Sequence, residues 1–463
     1  MPIKDRLYAA EDSLAKEIAG IRDYIYDHAE LGNEEYESSA YLVRVLREHG
    51  FTVTYPYLGM PTAFRAEYAC GADGSAGHPK IAFLPEYDAL PGYGPEKNRT
   101  AHACGHNWIA ASTLGAAIAL SGLAEELTGT IVVIGTPAEE TTGGKCELVE
   151  KGAFADIDAA IQMHLGAENN IRVVTLAMDS YEFNFSGRAA HAAAYPEQGI
   201  NALDAVQILF ASVNALRQHM TSDARVAGIV TKGGAACNIV PDRASCRFYI
   251  RAAKREYLRE LTAKIIRCAE GAALATGASL EYHTFENSFD DLRYDERLRG
   301  LLQKNLQELG VTSFVDNDAQ ASGSSDIGNV SHVCPTVYCE IETGAEPKVY
   351  AHNEDFLDYV HGPNADRTLH IAAKAMACTA LEAGLAGNVL TGAETEEAAG
   401  TEAQTERTTG TILAGLGKLA ADLSALREAQ GKDADQKLAG QLLQLQEEVE
   451  ALRRLAAKQK TYD

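Results

Sequence analysis

Three short segments of this chain bring together side chains that bind metals or move protons. The first is His102-Ala103-Cys104-Gly105-His106-Asn107. A thiol and an imidazole this close, at a turn leading into a helix, can converge on one metal ion. The second is Thr136-Pro137-Ala138-Glu139-Glu140-Thr141, directly after the apolar run TIVVIG. Adjacent carboxylates at a strand end point in different directions, so one can ligate a metal while its neighbour takes a proton from an attacking water. The third is Met163-His164-Leu165-Gly166, again an imidazole closing an apolar run. Taken singly, each has a plain alternative: a buried Cys beside a capping His, a solvated acidic loop, a satisfied core His. At three successive strand ends they describe one mouth of one sheet. His352, in VYAHNEDF, offers a further ligand. One thiol, three imidazoles and one carboxylate suit borderline divalent ions such as Zn²⁺ or Mn²⁺, and two of them.

The elements that must position these residues are legible as alternating strands and helices. FTVTYPY, IAFLPEY, TIVVIGTPAEE and AAIQMHLG read as strands, with a helix most evident between Trp108 and Leu127. Residues 5–49 read as helix, with Leu14, Ile18, Ile21 and Ile25 at helical spacing. Such alternation predicts an α/β fold whose mostly parallel sheet carries helices on both faces and binds ligands where its strands end. From about Ser180 the texture changes. YEFNFSG, a helix from Asn201 to Met220, VAGIVTKGG, ASCRFYIRA and a helix from Lys254 to Thr276 read as an α+β unit. The expected organisation is an α/β domain from 1–179 and 293–388 with an α+β domain over 180–292 inserted into it. An acidic linker over 389–410 and a heptad-patterned helical tail over 411–460 follow. The two heptad runs, beginning at Ile412 and Leu438, are each short, which suits a helical hairpin or an oligomerising stalk.

Composition narrows the function classes. The 463 residues carry 65 acidic against 41 basic side chains, a net charge of −24, and 46% are apolar. That charge excludes a phosphate-backbone footprint and argues against docking on anionic lipid. Nine cysteines without a CxxC fit a reducing compartment. The N-terminus lacks an apolar signal core, and no stretch suits a bilayer. A cytoplasmic protein with no nucleic-acid or membrane partner is expected.

HACGHN, GTPAEE and MHLG, together with SGRAAHAAAYPEQGINALDAV and GGAACNIVPDRA, resemble the aminoacylase/carboxypeptidase-like dinuclear metallohydrolase superfamily. Within it they resemble the amidohydrolase branch with a Cys in its centre. PEYDALPGYG, the Asn after CGH, LRQHM and SGSSDIGNVSHVCPT lean toward the p-aminobenzoyl-glutamate hydrolase and β-alanyl-dipeptidase-like subgroup. The resemblance covers about residues 20–388 and implies that the α/β domain (1–179 and 293–388) is a metallohydrolase catalytic domain and the inserted one (180–292) a lid and dimerisation domain. It implies that Cys104, His106, Glu140, His164 and His352 ligate two divalent cations, with Cys104 as the bridge and Glu139 as general base. Asp88 falls where relatives keep a carboxylate that orients a metal-ligating His. His191 would stabilise the oxyanion, from its own or a partner subunit, while Asn238 and Arg251 would hold the substrate's carbonyl and terminal carboxylate. The chain departs from the wider branch at Asn107, where relatives have Asp, and at Glu86-Tyr87-Asp88, where they have Asp-Met-Asp.

The expected activity is therefore metal-dependent hydrolysis of a small, carboxylate-bearing amide, aminobenzoyl-glutamate-like or dipeptide-like. The expected assembly is a homodimer through the inserted domain, with higher order open through the tail. Two alternatives share the sequence: an aminoacylase with the same centre, and a metal-bound assembly or binding subunit. Cys146, Cys237, Cys334 and Cys339 are expected to be small buried apolar residues.

Overall fold

The computed structural model describes residues 2–71, 77, 79–315 and 323–386, so the expected linker and heptad tail lie outside it. In chain order the strands are β1 (Thr52–Thr54), β2 (Phe64–Ala69), β3 (Lys80–Phe83), β4 (Leu90–Tyr93), β5 (Arg99–Ala101) and β6 (Thr130–Gly135). They continue with β7 (Ala159–Gly166), β8 (Ala177–Ser186), β9 (Arg225–Lys232), β10 (Arg243–Ala252), β11 (Ser279–His283) and β12 (Thr336–Glu342). A six-stranded sheet has the order β1-β2-β6-β3-β7-β12. β3 runs parallel to β6 and β7, and β12 parallel to β7, which is the mainly parallel sheet the apolar runs predict. β1 and β2 form an antiparallel edge, with β2 antiparallel to β6. Every residue of β6 is buried, as expected of a strand covered on both faces.

The helix His106–Ser121 lies at the centre of one face. All of its residues from His106 to Leu120 are buried, because β6 and β7 cover one side and the helices Ile3–Ser13, Ala15–Asp27 and Gly362–Ala380 cover the other. Its small residues allow that fit. A Cβ at Gly115 would come 2.8 Å from Ile18 Cδ1. On the opposite face Leu84, Ile134, Leu148, Phe154, Ile327 and Tyr338 form a second apolar layer.

Two element boundaries differ from expectation. The stretch read as one helix over 5–49 is three, Ile3–Ser13, Ala15–Asp27 and Tyr36–Glu48. The break before Tyr36 contains Asn33 in the left-handed region (φ 68°) and Gly32, whose missing side chain leaves room for Thr141 Oγ1. The helix read to Leu127 stops at Ser121, where Gly122 follows.

The second sheet is four-stranded and antiparallel, in the order β11-β8-β10-β9. The helices Ala202–Leu216 and Arg255–Thr276 pack on it around Phe183, Phe185, Leu209, Phe248, Leu258 and Ile265. None of the nine cysteines is disulfide-bonded. Cys146, Cys334 and Cys339 are buried, but Cys237 is exposed, because the segment between β9 and β10 is a surface loop and not a core strand. Among the described residues no helix is long and apolar enough to cross a membrane.

Arg255, 4% exposed, ties the helix it begins to the strand β8. Its guanidinium donates to Asp179 at 2.6 Å, to Asp290 at 2.5 Å and to the Phe289 carbonyl. Removing one partner of a buried ion pair leaves the other charge uncompensated. Arg255→Met should therefore lower unfolding free energy by about 3–5 kcal/mol in urea titration. A loss below about 1 kcal/mol, the value of an exposed pair, would mean that water already solvates Asp179.

Candidate metal centre

Gly105 sets the first part of the centre. Its backbone is left-handed (φ 89°), and it caps the helix that begins at His106. A Cβ there would only touch Val360 and Phe356 at ordinary contact distances of 3.4 and 3.5 Å, so it is the backbone angle that calls for glycine. The reversal turns both Cys104 and His106 inward. Cys104 Sγ lies 3.4 Å from His164 Nε2 at the end of β7.

Each of these two imidazoles is oriented from behind. His106 Nδ1 is 2.7 Å from Asp88 Oδ1, and His164 Nδ1 is 2.7 Å from the carbonyl of Leu165. Those acceptors place the ring proton on Nδ1 and leave the Nε2 lone pair facing the cluster. His106 Nε2 is buried and has no hydrogen-bond partner. Asp88 also accepts the backbone N–H of Glu140 at 2.9 Å with its other oxygen. One carboxylate thus locks a ring and an acidic loop together.

The acidic loop follows β6. Ala138 has a left-handed backbone (φ 60°), held where its N–H donates to the buried Glu35 carboxylate at 2.7 Å. Strain of this kind is retained where surrounding contacts over-determine it. It sends Glu139 and Glu140 in different directions. Glu140 Oε1 is 3.2 Å from His352 Nε2 and 3.9 Å from His106 Nε2, yet it is buried without a hydrogen-bond partner. His352 arrives from far along the chain with a left-handed backbone (φ 68°). Its N–H donates to the Ala103 carbonyl at 2.8 Å, and its carbonyl accepts from the Tyr93 hydroxyl at 3.0 Å.

Ligand atoms of Cys104, His106 and His164 lie within 4.8 Å of one another, as do those of Cys104, Glu140 and His352, and those of His106, Glu139 and Glu140. Two buried lone-pair atoms without donors, on His106 and Glu140, are what a divalent cation would satisfy. The donor set fits such ions. Electrostatics agree. Burial disfavours the protonated form of His106, but Asp88, Cys104 and Glu86 outweigh it and raise its pKa well above that of an ordinary imidazole, a sign of the negative potential at this position. Burial and the neighbouring His106 push His164 down to about 4, which keeps it neutral. Burial, with Glu86 and Glu140 adding, raises the Glu139 carboxyl well above the usual range.

Three residues to which the sequence assigns no role complete the site from beneath. Lys145 is fully buried, and its ammonium donates to Glu86 and, at 2.7 Å, to Asp326. Glu86 Oε2 is 3.5 Å from His106 Nε2, and oxygens of Glu86, Glu139 and Asp326 lie within 4.8 Å of one another. Lys145 and His106 hold Glu86 ionised despite its burial. Glu340 is the other acidic neighbour. It pairs in register with His164, and burial together with Glu168 pushes its carboxyl up to about 7.

His191, Asn238 and Arg251 make no hydrogen bond or ion pair with this cluster among the described residues. His191 and Asn238 share an exposed loop region, where Ala192 N–H donates to the Asn238 carbonyl at 3.0 Å. Arg251 lies on β10, its guanidinium 5.5 Å from the Tyr249 ring centre and its Nε buried without a hydrogen-bond partner. Asn107, buried at the helix start, donates to the Val360 carbonyl at 2.7 Å and so braces the loop that carries His352.

Comparison with known proteins gives this arrangement its family. Residues 82–382 match peptidase family M20/M25/M40. The mouse Xaa-Arg dipeptidase is 35% identical over 393 residues, covering 82% of this chain and 88% of that one. One of the subunits of the p-aminobenzoyl-glutamate hydrolase of Escherichia coli K12 is 33% identical, covering 64% of this chain and 63% of that one. In fold, a putative aminohydrolase from methicillin-resistant Staphylococcus aureus superposes with TM-score 0.70 at 19% identity, over 82% of this chain and 100% of that one. The chain belongs to peptidase family M20/M25/M40, a family of dinuclear-metal amidohydrolases and dipeptidases, and it is a hydrolase of amide bonds.

Removing the buried ammonium tests how the acidic floor is held. Lys145→Met should cost about 3–5 kcal/mol of stability by leaving Glu86 and Asp326 uncompensated. Adding Asp326→Asn to that variant should recover part of the loss. Equal stability of the single and double variants in chemical denaturation would show that Asp326 carries no charge beside Lys145.

Proposed function

We propose that the chain hydrolyses a dipeptide-like amide bearing a free carboxylate, using two divalent cations, Zn²⁺ or Mn²⁺, held by Cys104, His106, Glu140, His164 and His352. The observation that carries the reading is the convergence of these five side chains with two buried, donorless lone-pair atoms at their centre. The dipeptidase among the similar proteins, matched over most of both chains, supports a dipeptide in preference to an acyl amino acid.

Divalent cations held by Cys104, His106, Glu140, His164 and His352 would supply Lewis acidity for the amide carbonyl and would lower the pKa of a water toward about 7. Glu139 accepts the proton of the attacking water and returns it to the leaving amine. Its crowding by Glu86 and Glu140 favours that role, since a raised carboxyl pKa improves a proton acceptor that must also donate. Asp88 holds His106 in the required tautomer. His191 donates to the oxyanion, worth about 3–4 kcal/mol for a well-placed donor. Its exposure in the isolated chain favours action on a partner subunit's centre. Asn238 and Arg251 hold the substrate's carbonyl and carboxylate.

The division into a hydrolytic domain (1–179 and 293–388) and a lid (180–292) is supported by the separate antiparallel sheet and its own apolar core. Homodimerisation through that lid is supported by β9, an edge strand on which Ile229 and Val230 are 64% and 49% exposed. A cytoplasmic setting suits the free thiols.

The test is hydrolysis of a β-alanyl dipeptide, p-aminobenzoyl-glutamate and an N-acetyl amino acid with Mn²⁺, Zn²⁺ or chelator. Chelator-sensitive cleavage of the dipeptide is expected, and none of the three being cleaved by metal-loaded protein would overturn the reading. Glu139→Gln should retain metal, measured by elemental analysis, and lose at least about 10³-fold in kcat. Substantial turnover by that metal-loaded variant would remove Glu139 from the role of base.

A further inference from the structure

Glu340 is a carboxylate whose counter-charge the described part of the chain does not supply. It lies on β12 directly beside His164, on the same side of the sheet, since residues paired on neighbouring parallel strands point the same way. Its backbone is fixed from the other side as well. Glu340 N–H donates to the Asn170 carbonyl and Asn170 N–H to the Glu340 carbonyl, both at 2.9 Å. Its Oε2 leans over Gly166, where a Cβ would stand 3.1 Å away, so the glycine leaves the carboxylate its space. Among the described residues no cation and no hydrogen-bond donor reaches this side chain. The charge that acts on it is Glu168, of like sign, and the cation beside Glu168, Lys348, is already engaged with it at 2.5 Å.

A half-buried carboxylate without a partner costs free energy that a bound cation recovers. Most other acidic groups of the centre have a cation or an imidazole beside them: Glu86 and Asp326 have Lys145, Asp88 has His106 and Glu140 has His352, while Glu139 is surrounded by carboxylates. Glu340 stands apart from them, at the carboxyl end of the sheet, where the substrate of such a site must enter.

We infer that Glu340 is a specificity-determining residue that pairs with a cationic group, an ammonium or guanidinium, on the amide substrate. The inference rests on the dipeptide reading above and narrows it to basic dipeptides. Two parts of such a substrate could bring the cation, the amino end or the side chain of the leaving residue.

Three substrates separate those sources: β-alanyl-arginine, β-alanyl-citrulline (neutral side chain) and propionyl-arginine (no amine). The wild-type enzyme is expected to prefer β-alanyl-arginine to one of its two neutral counterparts. In Glu340→Gln the corresponding ratio of kcat/KM should fall about 10- to 100-fold. The same variant should keep its metal content and melt at an unchanged or higher temperature, because it discards an unpaired buried charge. A preference that survives in Glu340→Gln overturns the inference. So does a lower melting temperature with equal loss on all three substrates, which would mark a structural role. Wild-type cleavage of all three substrates alike overturns it too, while leaving the dipeptidase reading intact. Cleavage of p-aminobenzoyl-glutamate and of no dipeptide overturns both.

Discussion

The Asp88 carboxylate is the constraint on which the centre depends. One of its oxygens faces His106 Nδ1 at 2.7 Å and the other accepts the Glu140 N–H at 2.9 Å. Neither contact is to a candidate ligand atom, yet together they fix a ring and a backbone that lie on different elements. The helix His106–Ser121 and the loop after β6 therefore cannot shift relative to one another without breaking a buried, charge-assisted hydrogen bond. Rigid packing of that helix beneath three others makes the arrangement stiff as well as correct.

Around this bridge the protein concentrates negative charge. Glu86, Asp88, Glu139, Glu140 and Asp326 lie within a small volume, with Lys145 inside it. Burial of so many carboxylates is unfavourable in isolation. The apolar layers on both faces of the sheet supply the compensating stability, and the result is a cluster of carboxylates whose potential favours cations.

Much of this is legible in the sequence alone. The strands TIVVIG and AAIQMHLG announce themselves by apolar content, and the residues that close them are the ones that meet. HACGH reads as a turn leading into a helix, and the structure adds that its glycine is left-handed. Other parts were illegible for definite reasons. Lys145 is 59 residues from Glu86 and 181 from Asp326, and a charged side chain reads as surface until its partner is known. FRAEYA, which becomes β2, mixes charge into its run and so lacks the continuous apolar signature of its neighbours. The helix over 5–49 looked continuous because periodicity cannot register that Gly32 must pass against Thr141. Cys237 looked buried because its residue type usually is.

His352 carries a last consequence. Its main chain is clipped between Ala103 and Tyr93, so the final donor of the centre reaches it across some 250 residues of chain. During synthesis the thiol and first imidazole emerge long before that donor exists. The centre can be completed only once the C-terminal part of the sheet has docked, and any ion that bridges both ends then closes a very long loop. On the proposed reading, ion capture would accompany the last step of folding, and bound ions would report that both ends of the chain have docked.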